Sequence, residues 1–349
     1  MKRRDLRIAL AAVITIALLV LILRAVPPAE LMEALGNASP LLLGLAFLAA
    51  FGFAVARAWR YHLLLGRERA PSARSVLAIT LAAWGVSLVL PGPSSDAVFV
   101  WQTRVRLRTP VSLGIGAALI ARILDGASLL LIALVTASAE DVALPRFVAG
   151  AAAVVAVLFV CLLTAVFWDR PRRWILPRLE GLRLVGGLVS RLAPALEELG
   201  TGSRTILLVA STAAARVFTG LQYLALFAAI GHPLTFTQAW FALSIRTLLL
   251  AFPIQGIGGL GTTQLWWTAA LTLLGFPFDD ALAASLAVHI LDLAVSLPQG
   301  AAGWLALYLG GRRPSAVVAV SDSEPAAAEY DAQPPARTVS SGGSASRPD

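Results

Sequence analysis

Long apolar runs limit what this chain can fold into. Residues 8–23, 41–55, 111–137, 147–168 and 206–230 form such runs. Each approaches or exceeds the roughly 20 residues that cross a hydrocarbon core of about 30 Å as a helix. Leu, Ala, Val and Ile fill them with little alternation of period two, so helices are expected rather than the strands of a barrel. With 58% hydrophobic and 14% charged residues, a soluble domain would lack the polar surface to stay in water. The run at 8–23 follows Lys2, Arg3, Arg4 and Arg7 and precedes Arg24, Pro27 and Pro28, without a small-residue cleavage pattern. It is expected to stay as a first span. The single cysteine, Cys161, lies inside a run, which excludes a disulfide within one chain and a thiolate metal site.

A net charge of +8 raises the question of nucleic acid, but the basic residues sit in short connections between the runs. That placement is the signature of membrane orientation, since cytoplasmic loops collect Lys and Arg. Clusters at the N-terminus, at 57–74, at 104–108, at 170–204 and at 312–313 hold 21 of the 28 basic residues. Placing them all inside puts both termini in the cytoplasm, with the cell membrane as the expected location. It also puts both flanks of residues 75–103 on one side. Residues 76–90 are too short to cross, at about 1.5 Å per residue, and Leu90, Pro91, Gly92 and Pro93 break the helix. A re-entrant hairpin entering from the cytoplasm is expected. The pattern recurs at 239–252 and 263–274, around a break with Pro253, Gln255, Gly256, Gly258, Gly259 and Gly261. Those flanks carry no Lys or Arg, so this hairpin is expected to enter from the opposite face.

The expected fold is therefore an all-α polytopic membrane protein of about six full transmembrane helices and two re-entrant helical hairpins. The transmembrane domain spans 1–310, with a cytoplasmic amphipathic segment at 170–203 and a disordered cytoplasmic tail at 311–349. Its halves, about 40–136 and 204–309, share ordered features. Arg122 and Asp125 flank Ile123 and Leu124, while His289 and Asp292 flank Ile290 and Leu291, 167 residues later. Pro91 and Pro253 are 162 apart, and Arg57 or Arg60 and Arg216 are 156–159 apart. The helices carrying these arginines would run in opposite directions, which makes an inverted repeat of the kind that lets broken helices meet near the midplane of a transporter.

These residues resemble the lysylphosphatidylglycerol synthase transmembrane region family of flippase-like membrane proteins over about residues 5–310. The carriers are Arg57, Trp59 and Arg60, then Leu90, Pro91 and Gly92, then Ala121, Arg122 and Asp125, then Gly258, Gly259, Leu260 and Gly261. The resemblance implies movement of a lipid or polyprenyl-linked molecule between leaflets, often beside a lipid-modifying or glycosyl-transferring enzyme. Three positions depart from the family pattern. Ser95 and Asp96 stand in place of Gly-Glu, Phe99 stands near an expected arginine, and Gln264 replaces a glutamate.

Candidate substrate-binding residues are Arg216, Arg122, Asp125, Arg246, His289, Asp292, Gln264 and Asp96. Charges at depth cost at least about 2.5–3.5 kcal/mol each on insertion scales, so they should face the interior and pair. Arg122 and Asp125 share a helix face and either lock helices together or line a path. Arg216 either binds a phosphate headgroup bidentately or partners Asp125 or Asp292. His289 is a proton relay or a hydrogen-bonded structural residue. Asp96 is a candidate helix cap. Pro91, Gly92, Pro253, Gly258, Gly259 and Gly261 free backbone groups that could cradle an anion. Arg57 and Arg60 are read as snorkelling residues at a cytoplasmic helix end, and an interfacial belt is expected to explain most of Trp59, Trp84, Trp101, Trp240, Trp266 and Trp267. No metal-spaced set, nucleotide motif or catalytic constellation emerges, so no cofactor, no enzyme activity and no nucleic-acid partner are expected. The expected function is flippase-like transport of an anionic phospholipid or polyprenyl-phosphate species. The alternative is a non-catalytic partner of a membrane enzyme.

Overall fold

A computed structural model describes residues 28–66, 71–90, 94–142, 150, 203–249 and 259–310. The expected spans at 8–23 and 147–168, the amphipathic segment and the tail lie outside the described residues. Among the described residues the elements are all helical. They are α1 (Pro28–Gly36), α2 (Pro40–Leu64), α3 (Ala73–Val89), α4 (Ser94–Leu107), α5 (Val111–Ala139), α6 (Ser203–Ala229), α7 (Phe236–Leu249), α8 (Thr262–Leu273) and α9 (Phe278–Leu309).

Helices α2, α5, α6 and α9 are long and apolar enough to cross a membrane. At about 1.5 Å per residue, their 25 to 32 residues exceed the hydrocarbon core. Helices α3, α4, α7 and α8, with 17, 14, 14 and 12 residues, fall short. Local chemistry sets several of these bounds. Pro40 opens α2, where a missing N–H costs nothing. Asp279 and Asp280 occupy the first turn of α9, where the helix dipole favours negative charge. The apolar surface of the spans faces outward, with Leu41, Leu48, Val135, Ile206 and Leu305 among the exposed residues.

The buried seam between α2 and α6 is built from small residues, Ala46, Ala50 and Ala54, which let the backbones approach. The pair runs antiparallel. The Ser39 backbone N–H donates to the Ala229 carbonyl at 3.1 Å, Gly52 lies under the Phe218 ring, and Leu64 shares a core with Leu208. Helices α3 and α9 are also antiparallel and touch backbone to backbone. A Cβ added to Gly85 would lie 2.7 Å from the Gly300 Cα, and one on Gly303 would lie 2.5 Å from the Ala82 nitrogen. Helix α7 packs on α5, where Thr237 donates to Glu140.

The packing has a regular pattern. Helix α3 packs on α4 and α9, as α7 packs on α8 and α5. Helix α2 packs on α3, as α6 packs on α7, and α4 packs on α5, as α8 packs on α9. Exchanging α2 with α6, α3 with α7, α4 with α8 and α5 with α9 leaves this set of partners unchanged. Helix α1 stands outside it, resting on α9.

Candidate functional site

Two carboxylates, one on each of the last helices of the two halves, organise the polar interior. On α5, Asp125 receives both terminal nitrogens of Arg60 from α2, at 2.8 and 2.9 Å. Arg216 of α6 donates to the same carboxylate. Three helices are thus tied at one acid. Arg60 is fully buried and Asp125 remains about one quarter exposed. The geometry is a forked guanidinium–carboxylate pair, the form in which Arg binds an oxyanion most strongly. The Trp240 Nε1–H donates to the Arg216 carbonyl at 3.3 Å and fixes that turn of α6.

One turn earlier on α5, Arg122 pairs with Asp96 of α4, and its side chain is 55% exposed. So Arg122 and Asp125 share a face but hold different partners. Asp96 lies in the first turn of α4, and its carboxylate is committed to Arg122 across the helix pair.

On α9, Asp292 has a different environment. It is buried and accepts hydrogen bonds from Gln222 at 2.7 Å, Tyr223 at 2.9 Å and Ser296 at 3.1 Å. No cation forms an ion pair with it among the described residues. Arg246 of α7 approaches from behind, its guanidinium 5.9 Å from the centre of the Tyr223 ring and 6.0 Å from that of Trp267. Arg57 of α2 has a similar setting, 6.0 Å from the Phe53 ring centre and 5.6 Å from that of Tyr61, with one hydrogen bond to the Tyr61 hydroxyl at 3.3 Å. Neither Arg57 nor Arg246 has a carboxylate within ion-pair distance among the described residues. The Nε atom of each is buried without a hydrogen-bond partner.

The start of α8 completes the second site. Gly259 and Gly261 have φ of 70° and 82°, a left-handed conformation that side chains resist. The pairing of Thr268 with Ser285 at 3.3 Å sets α8 antiparallel to α9. A Cβ on Gly259 would lie 3.6 Å from His289 Cε1. Gln264, fully buried, has neither amide atom hydrogen-bonded. Of the other candidate break residues, Pro91, Gly92, Pro253 and Gly258 lie outside the described residues.

Two readings from sequence need correction. Arg60 does not snorkel at a helix end. Helix α2 continues to Leu64, and Arg60 is buried at the centre of the charge cluster. The apolar window ended near residue 55 because the same turns carry the arginines. The repeat offset to Arg216 was the available signal. The tryptophans are not all interfacial either. Trp267 and Trp240 are core residues, with Trp267 packed on Tyr223 and Phe227, while Trp59 and Trp101 are exposed. Gln222 and Tyr223 were missed because an ordinary polar pair on a helix gives no sign of a partner 70 residues away.

Among the described residues, four helices long and apolar enough to cross a membrane, the shorter apolar α3 and ion pairs between helices define a multi-pass membrane protein. The profile of the family described as lysylphosphatidylglycerol synthase TM region matches residues 8–300. The chain belongs to that family, which places it among membrane proteins of lipid-related function. Neither a curated protein nor a solved structure matches it.

Proposed function

We infer that this protein moves an anionic lipid, a phospholipid or a polyprenyl-phosphate-linked molecule, between the leaflets of the cell membrane. The carrying observation is a surplus of positive charge around the breaks. Among the described residues, the interior holds Arg57, Arg60, Arg122, Arg216 and Arg246 against Asp96, Asp125 and Asp292. Arg57 and Arg246 are the uncompensated pair. An aromatic face offers a cation about 0.5–2 kcal/mol, while burying a charge in a membrane costs at least about 2.5–3.5 kcal/mol. A phosphate headgroup would supply the missing countercharge, and the partly open Asp125 cluster would give it an entry.

The architecture supports the same reading. The interchangeable packing of the halves, together with antiparallel α2 and α6, fits an inverted repeat about an axis in the membrane plane. The short pairs α3–α4 and α7–α8 fit re-entrant hairpins from opposite faces. The basic clusters favour both termini in the cytoplasm. In this reading the protein carries lipid and does not modify it, and any enzyme partner acts on the carried molecule.

The test is reconstitution into liposomes containing a fluorescent phosphatidylglycerol, with dithionite quenching of the outer leaflet. The expected result is accelerated exchange, slowed about tenfold by Arg57→Ala or Arg246→Ala, equivalent to about 1.4 kcal/mol. Exchange indistinguishable from empty liposomes, for phosphatidylglycerol and for a polyprenyl phosphate alike, would leave a scaffolding role. Cysteines at Gly92 and Glu140 test the hairpins: the first should resist labelling from both sides, the second should react only from outside.

A further inference from the structure

We propose that Asp292 is a proton-binding site that couples protonation to the anionic lipid. The proposal rests on the transport reading only for its second half. The proton site itself stands on hydrogen-bond chemistry. An ionised carboxylate accepts and a protonated one must also donate, so its neighbours decide whether both forms fit. Around Asp125 they do not. Arg60 and Arg216 are donors without any acceptor, and a proton on Asp125 would point at them. Around Asp292 they do. Tyr223 and Ser296 present hydroxyls, which donate to the carboxylate and can turn to accept from the acid. Gln222 donates to one oxygen in either form. The site therefore accepts a proton without losing a partner.

The charges around it fit this role. From α6, Tyr223 touches Asp292, while Arg216 is engaged by Asp125. From α7, Arg246 lies over the Tyr223 ring. On α9 itself, His289 is one turn away and buried. Helix α3 brings only Arg74, at its far end, and α8 brings no ionisable side chain. Helix α2 brings Arg57, Arg60, Tyr61 and His62 near its C-terminal end, and α1 brings Glu33. Arg246, lying over the ring of the tyrosine that holds Asp292, is thus the cation linked to it through a shared neighbour among the described residues. A phosphate headgroup on Arg246 would claim that cation and set a second negative charge near Asp292. Protonation then removes the repulsion. Lipid anion and proton occupy the site as a neutral pair, which lowers the cost of passing through a medium of low dielectric.

The site is tested without any lipid substrate by pH-difference infrared spectroscopy of the full chain in detergent. As the pH is lowered and raised, a protonated-carboxyl stretch should gain and lose intensity in the wild type. It should persist in Asp125→Asn, shift in Asp292→Glu and vanish in Asp292→Asn. A wild-type spectrum without such a band, or one unchanged in Asp292→Asn, overturns the proposal. Folding of each variant is checked by circular dichroism, and Asp292→Glu keeps the test open if Asp292→Asn fails to fold. Coupling is tested in the fluorescent phosphatidylglycerol liposomes. An imposed gradient of one pH unit should drive an asymmetry of up to about tenfold between leaflets, the limit for one proton per lipid. Asp292→Asn should equilibrate the lipid without responding to the gradient. Wild-type exchange indifferent to the gradient removes the coupling half. Absence of exchange in every condition removes the transport reading but leaves the infrared result to decide the proton site.

Discussion

Asp125 and Asp292 occupy matching places in the two halves and have been given opposite surroundings. Asp125 is partly open and holds two arginines from two other helices. Asp292 is sealed and held by an amide, a phenol and a hydroxyl. The neighbouring positions differ in the same sense. Asp96 pairs with Arg122 in the first half, while Gln264 and His289 stand at the matching places in the second. One half therefore keeps fixed charges, and the other has traded most of its charges for groups that reverse their hydrogen bonds. Two halves that pack alike can divide labour this way. Fixed charges attract an anion, and reversible donors accommodate a change of protonation.

The largest expected effect is on the charged side. Asp125→Ala strands two buried guanidiniums and should cost about 3–5 kcal/mol, read as a fall in thermal unfolding temperature in detergent. The combined replacement Asp125→Leu, Arg60→Met and Arg216→Met should recover most of that stability, because a whole buried ionic set is replaceable by apolar packing. Lipid exchange should stay lost. Recovery of both would reduce the cluster to a structural lock.

Asp292→Ala should cost less, about 1–3 kcal/mol, because the groups it abandons are neutral. An equal loss at both acids would erase the contrast. Tyr223→Phe should cost about 0.5–1.5 kcal/mol and weaken the response to a pH gradient by removing one reversible hydroxyl. Arg57→Ala should change stability by less than about 1 kcal/mol, since no ion pair is broken, yet slow lipid exchange. A stability loss as large as that of Asp125→Ala would assign Arg57 to the structural network.

Four of the expected spans and the short helices on either side of the breaks were legible among the described residues, because apolar run length records membrane thickness. The repeated spacing of Arg122 and Asp125 with His289 and Asp292 marked the right helices for the site. What joined them was not legible. The Asp125 cluster spans α2, α5 and α6, so the two arginines lie 65 and 91 residues from the acid in the chain. Arg60 was obscured by its position just beyond an apolar window, where a topological signal and a buried functional charge look alike. Gln264 was noted as a departure from the family pattern, but the sequence could not reveal that it is fully buried with an unsatisfied amide.

Where Gly85 lies on Gly300, two backbones meet with nothing interposed. Meshed side chains hold a helix at discrete rotations, since each new setting demands repacking. A glycine contact has no teeth. At this point helix α3 and the last span are spaced by backbone alone, while the rest of α3 is held by buried side chains such as Val76 and Ile79. Any side chain placed at either glycine would therefore wedge the two helices apart and reset the spacing of the halves they belong to.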